Sequence, residues 1–215
     1  MWTALSRIVI NTMETLITLG ITGGIGSGKS YVTRIFTALG IPCYDSDART
    51  KLLYRENEEL KEALTNLLGP TIYRDGEPDT KIIASLIFTD HSLLKKVNTL
   101  VHPYVVRDFL KWAASTNAPY VIFESAILLE MDPPFHTTRV LTVSADKELR
   151  LQRASGRDNS HRQSVLNRMD KQWTDRQRES GADFIIVSDE IQPLLPRVLA
   201  VHDEMIKLTK HNNEN

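Results

Sequence analysis

Apolar residues along this chain fall into short runs separated by longer stretches in which they recur every three or four positions. The runs at 16–21, 41–44, 119–123, 139–143 and 183–187 are largely apolar and partly β-branched, as strands buried on both faces of a parallel sheet require. After the first run, Val32, Ile35, Phe36 and Leu39 stand at i, i+3, i+4 and i+7, one face of a helix that Gly40 can end. Leu194, Val198, Val201, Met205 and Leu208 line one side of a C-terminal helix that closes the core. Strands alternating with helices predict an α/β fold, a parallel sheet flanked by helices. The alternation fails from Ala48 to Ser115, which reads as mainly helical with breaks at 68–70 and 74–78. That stretch is too long for a crossover helix and predicts a helical subdomain inserted between strands. Between Leu149 and Arg178 eight Lys/Arg stand against three Asp/Glu, on a pattern of two helices joined near 156–160. No internal repeat or low-complexity tract occurs beyond the polar tail 211–215.

The turn after the first strand carries the chemistry. Residues 23–30 read Gly-Gly-Ile-Gly-Ser-Gly-Lys-Ser, a complete G-x-x-x-x-G-K-S phosphate-binding loop between a strand and a helix. Gly23, Gly24, Gly26 and Gly28 let backbone N–H groups, with those of Ile25 and Ser27, close around phosphate oxygens, and the helix N-terminus adds partial positive charge. Lys29 then reaches the outer phosphates and the Ser30 hydroxyl binds Mg2+. A nucleoside triphosphate is the expected ligand.

Composition narrows the partners. The chain has 215 residues, 41% hydrophobic and 25% charged, enough for one core with an appended subdomain. A net charge of −1 gives no global attraction to nucleic acid or a membrane surface. One cysteine, Cys43, excludes an intrachain disulfide and points to a reducing compartment, the cytoplasm. No apolar stretch approaches the roughly 20 residues that cross a bilayer. Residues 1–15 carry Arg7, Asn11 and Glu14 among short apolar pieces, unlike a signal peptide. They are expected to be a dispensable extension, with Met13 an alternative start.

Carboxylates at strand ends matter because ligands of open α/β sheets bind beyond the carboxyl ends of the strands. Asp45 and Asp47 are read as ending the second strand and Glu124 the third. A carboxylate there can orient or deprotonate an acceptor hydroxyl, or hold Mg2+ through water; the Asp-Ser-Asp run can equally cap the next helix. Glu130 can orient substrate or make a structural salt bridge. In a phosphate-handling enzyme the basic segment can form an arginine-bearing lid, with Arg153 and Arg157 four apart on one helix face. It can also be a plain solvated face. His102, followed by Pro103, reads first as a structural histidine, and Trp112 and Trp173 most simply as packing residues, though Trp173 beside the lid can contact a base.

From residue 16 to about 208 the chain resembles the dephospho-coenzyme A kinase family. Leu19 to Ser30 is similar to the family's form of the loop, and Leu39-Gly40-Ile41 leading to Asp45-Ser46-Asp47 resembles its Asp-Ala-Asp segment. Leu100-Val101-His102-Pro103 is similar to its His-Pro element and Ile127-Leu128-Leu129-Glu130 to its Leu-Leu-Phe-Glu run; Arg153, Gln172 and Ala182-Asp183 follow in the family's order. The resemblance implies the P-loop nucleoside triphosphate hydrolase fold and phosphorylation of the ribose 3′-hydroxyl of dephospho-CoA by ATP with Mg2+. It implies a domain over 16–210: a nucleotide core (16–47, 119–145, 182–210), a helical substrate domain (48–118) and a lid (146–181). Asp47, Lys29 and Arg153 would be catalytic. The loop residues with Tyr31 and Arg157 would hold ATP, Asp47, Lys51, His102 and Glu130 the acceptor, and Ser30 and Glu124 the metal. No nucleic-acid or membrane partner is implied, and a monomer or small homo-oligomer is expected. Three departures stand out: Ala126 at a usual proline, Glu124 at a frequent aspartate, and Val187-Ser188-Asp189 in place of an Asp-Asn-Asn-like segment, where adenine contacts would lie. A different small-molecule or nucleotide kinase, or a nucleotide sensor without catalysis, would carry the same loop; a GTPase switch lacks its Asn-Lys-x-Asp run.

Overall fold

The computed structural model describes residues 16–131, 134–158 and 161–213; the expectation for residues 1–15 lies outside them. The chain folds as two compact units, one running to Asp45 and resuming at Thr116, the other Ser46–Ser115. The second unit begins and ends two or three residues before the 48–118 expected from the sequence.

The first unit is built on a five-stranded sheet of order β2-β5-β1-β6-β7, its paired strands all parallel. The strands are β1 (Thr18–Thr22), β2 (Cys43–Asp45), β5 (Val121–Glu124), β6 (Arg139–Ser144) and β7 (Phe184–Val187). Central β1 is buried along its whole length. Leu19, Ile21, Ile122, Leu141 and Val143 pack with Phe36 of α1 (Lys29–Ala38) and Val198 and Met205 of α9 (Leu194–Asn213). Each such side chain stabilises the fold by roughly 1.5–3 kcal/mol. The register places Ile21 opposite Glu124 and Glu124 opposite Asp45, so both carboxylates stand at the sheet edge where the phosphate loop begins.

The expected strands form within two residues of their predicted limits, whereas the C-terminal helix runs on to Asn213, into the segment read as a polar tail. Helix α1 ends at Ala38, and Gly40 follows at φ 83. Asp45 closes β2 as expected, but Asp47 does not end a strand: it lies in the first turn of α2 (Ser46–Glu56). The helix begins directly at Ser46, whose carbonyl accepts the Thr50 hydroxyl at 2.7 Å, and Asp47 faces the positive end of the helix dipole.

Helix α2 opens the second unit, followed by α3 (Glu58–Leu68), α4 (Thr80–Thr89) and α5 (His91–Ala114). Asn57, Asp79 and Asp90 cap the last three by accepting backbone N–H groups. The two predicted breaks are a 3₁₀ turn at Pro70–Ile72 and a hairpin of β3 (Tyr73–Arg74) and β4 (Glu77–Pro78). Its two-residue turn, Asp75-Gly76, has both residues at positive φ, the geometry that matches strand twist. Arg49 of α2 forks onto Asp108 of α5 at 2.9 and 2.8 Å.

The basic segment forms three helices rather than two: α6 (Lys147–Asp158), α7 (Arg162–Met169) and α8 (Asp175–Ser180). The extra break follows Asp170, and Thr174 restarts the chain with a capping box to Gln177.

Candidate active site

The phosphate loop occupies residues 23–30, at the tip of the central strand and opening α1. Gly28 takes the helix N-cap position in the left-handed conformation (φ 96, ψ 14), which any other residue would adopt at a cost. The amide of Ser27 donates to Gly24 O at 3.1 Å, and those of Tyr31 and Val32 donate to Gly28 O. Lys29 Nζ donates to Gly23 O at 2.8 Å, which folds the ammonium back over its own loop. The Ser27 hydroxyl is buried and finds no hydrogen-bond partner among the described residues. Such a group costs roughly 1–3 kcal/mol until water or a ligand oxygen pairs with it. Ser30 and Tyr31 are exposed.

Helix α6 lies against this loop. Arg150 Nε donates to Ile25 O at 3.0 Å, and the Ile25 amide donates to Gln172 Oε1 at 2.9 Å. Arg153 donates through Nη1 to Ser188 Oγ (3.2 Å), through Nη2 to Ser188 O (3.1 Å) and through Nε to Glu190 (3.0 Å), with a long contact of 3.5 Å to Gly26 O. Arg153 thus joins the phosphate loop to the turn after β7. Arg157, one helical turn on, is exposed.

Glu130 accepts Arg178 Nη2 at 2.8 Å, and Arg178 is wholly buried. The ion pair, one of its two sequence readings, is present. Glu124 and Asp45 leave their mark on Cys43: burial first, then these two carboxylates, push its thiol up to about 12. Cys43 is a strand residue whose thiol stays protonated. Among the described residues no cluster of three or more His, Cys, Asp or Glu could hold a metal ion. A metal carried in by a triphosphate needs fewer protein donors, and Ser30 and Glu124 are of the oxygen type that suits Mg2+.

The loop, Glu124, Glu130, Arg153 and Arg157 share the first unit; Asp47, Lys51 and His102 belong to the second. Asp47 and Lys51 are exposed and stand four apart on α2, on one face. His102 sits in α5, which runs unbroken through Pro103. Burial lowers its pKa from 6.5, favouring the neutral ring. Arg150, Asp175, Arg178 and Glu190 are site residues that the sequence pattern does not single out, and Ser188 enters there only as part of the departure Val187-Ser188-Asp189. Gln172 is visible there only through its order among family-like residues, and the i, i+3 spacing of Arg150 and Arg153 is the one local signal for the former.

A parallel sheet with a phosphate loop at the tip of its central strand, overlaid by arginines of a helical segment, defines a P-loop kinase. The sequence profile described as dephospho-CoA kinase matches residues 17–192. The chain belongs to the dephospho-CoA kinase family. It is similar to the dephospho-CoA kinase of Porphyromonas gingivalis, 37% identical over 187 residues, 86% of this chain and 93% of that one. The crystal structure of TT1252 from Thermus thermophilus superposes with a TM-score of 0.77 at 33% identity, covering 88% of this chain and 97% of that one. Dephospho-CoA kinase from Campylobacter jejuni shares the fold, with a TM-score of 0.54 at 22% identity over 90% of this chain and 99% of that one.

Proposed function

We propose that this chain transfers the γ-phosphoryl group of ATP to the ribose 3′-hydroxyl of dephospho-CoA, giving coenzyme A and ADP. The observation that carries this is the complete loop at 23–30, on the central strand of a chain matched by the family over 17–192. Glycine N–H groups and Lys29 hold the β- and γ-phosphates, and the ammonium stabilises charge as the phosphoryl group leaves. Mg2+, held by Ser30 with Glu124 acting through water, would neutralise phosphate charge. Asp47 takes or orients the proton of the 3′-hydroxyl, a role its exposed place on α2 leaves open to substrate. Lys51, on the same helix face, and His102 assist acceptor binding. Arg153 and Arg157 are supplied from a lid over 146–181, with Arg153 exchanging its bonds at Ser188 and Glu190 for nucleotide. Tyr31 flanks the nucleotide. The 46–115 unit binds the acceptor, and the enzyme works in the cytoplasm; no helix among the described residues is long and apolar enough to cross a membrane.

The test is a panel of acceptors with ATP and Mg2+: dephospho-CoA, nucleoside monophosphates and small hydroxy acids. Rapid turnover confined to dephospho-CoA is expected. Preference for another acceptor would assign a different kinase, and ATP binding without transfer to any would assign a sensor.

A further inference from the structure

The phosphate loop is gripped from outside on both sides of Ile25, and Arg150 is the residue that closes the grip. Its Nε holds the Ile25 carbonyl while its Nη1 meets Asp175 Oδ2 at 2.6 Å, with the side chain only 6% exposed. Behind it the charges alternate: Asp175 Oδ1 takes Arg178 Nη1 at 3.3 Å, and Arg178 passes on to Glu130. Two cations and two anions enclosed in this way offset one another. The Arg150 charge is therefore committed to the protein, and its fork is fixed by a buried counter-charge.

The glycines of the loop record the same contact. A methyl group added at Gly24 would lie 2.0 Å from Arg150 Nη2 and 2.6 Å from its Cζ, and the three nearest atoms all belong to that guanidinium. The backbone of Gly24 is not in the left-handed region, so alanine would meet no conformational strain there. Two residues on, a methyl group at Gly26 would lie 2.1 Å from the Arg150 carbonyl oxygen. The side chain of Arg150 thus lies over residue 24 and its backbone over residue 26, on either side of the carbonyl it bonds.

We propose that Arg150 is a positioning residue for the phosphate loop: it fixes the bend at residues 24–26 on which the direction of the loop's N–H groups depends, and Gly24 is glycine to admit it. Asp175, Arg178 and Glu130 hold the guanidinium in register. This deepens the ATP-site reading and rests on it. A loop whose amides are held before ligand arrives loses less free energy to ordering when phosphate binds.

The test is a double-mutant cycle of Gly24→Ala and Arg150→Ala, read by direct ATP titration, steady-state KM for ATP and for dephospho-CoA, and melting temperature. Each single change should weaken ATP binding and raise the ATP KM by about tenfold or more while moving the acceptor KM less than about twofold. Gly24→Ala should add less than about twofold in the Arg150→Ala background, because the atoms it displaces are gone. Should Arg150→Ala fold poorly, Arg150→Lys, with its slimmer head and retained charge, serves in the same cycle; Gly24→Ala should then cost clearly less than in the wild type. Multiplicative losses, or a lowered melting temperature with unchanged ATP affinity, would overturn the proposal. Because titration needs no acceptor, a wild type that binds ATP but fails to phosphorylate dephospho-CoA would count against the substrate assignment and leave the cycle readable.

Discussion

At the scale of single side chains, the proposed chemistry is divided between Lys29 and Asp47. Lys29 Nζ donates to Gly23 O, which places its ammonium beside the phosphate cradle. Lys29→Ala should keep the fold and lose roughly 100-fold or more in turnover, about 3 kcal/mol of transition-state stabilisation, measured by steady-state kinetics beside circular dichroism. Asp47 has a rival role as a helix-terminal charge on α2. Asp47→Asn separates the two, because an amide cannot take the hydroxyl proton. ATP affinity should be retained and single-turnover transfer slowed about 100-fold; unimpaired transfer would leave Asp47 with the helix alone. His102 contributes a pH dependence of folding. Its pKa is lowered in the folded protein, so below about 6.5 the unfolded chain takes up the proton first and stability falls as pH falls. His102→Gln should flatten that acid-side slope in melting curves taken from pH 7 to pH 5.

Elements are legible in the sequence where one physical rule dominates. Strands buried on both faces must be apolar runs, and the phosphate loop must sit between such a run and an amphipathic helix, so β1, α1 and residues 23–30 can be read directly. The hairpin at 73–78 shows only as a break, because two-residue strands have no period to detect. Asp47 falls in a different element from the one its pattern suggests, because Asp-Ser-Asp serves equally as strand end and helix start. The three-helix form of 147–180 is hidden by a run of charges that says nothing of where a helix restarts. Arg150 and Arg178 are hidden more deeply: an arginine is expected at the surface, and only the fold shows that Asp175 and Glu130 allow these two to be buried. Arg153, tied to the turn after β7, gives a test of this region. Arg153→Ala should lower turnover or ATP affinity by about tenfold through loss of a charge-assisted contact. Glu190→Gln, which loosens the arginine while sparing its charge, should leave ATP affinity equal or raised. A fall of similar size in both variants, seen by isothermal titration, would make the ion pair itself the functional unit.

At the scale of the molecule, the 46–115 unit interrupts a sheet whose strands come from both sides of it in sequence. The sheet-bearing unit is therefore completed only by residues far apart in the chain, and its buried ions are a point of weakness. Arg178→Met should destabilise the protein by about 3–5 kcal/mol, because Glu130 would stay behind without its counter-charge. Adding Glu130→Leu should recover part of that loss, a comparison made by urea denaturation. The loop and the family match converge on one phosphoryl transfer, and its acceptor atom is the central claim. Incubating the protein with dephospho-CoA, Mg2+ and ATP labelled in the γ-phosphoryl group, then treating the product with a 3′-specific nucleotidase, reads that atom directly. Label should enter coenzyme A and be released entirely by the nucleotidase; label that stays in ATP, or enters a position the nucleotidase cannot cleave, would contradict the account.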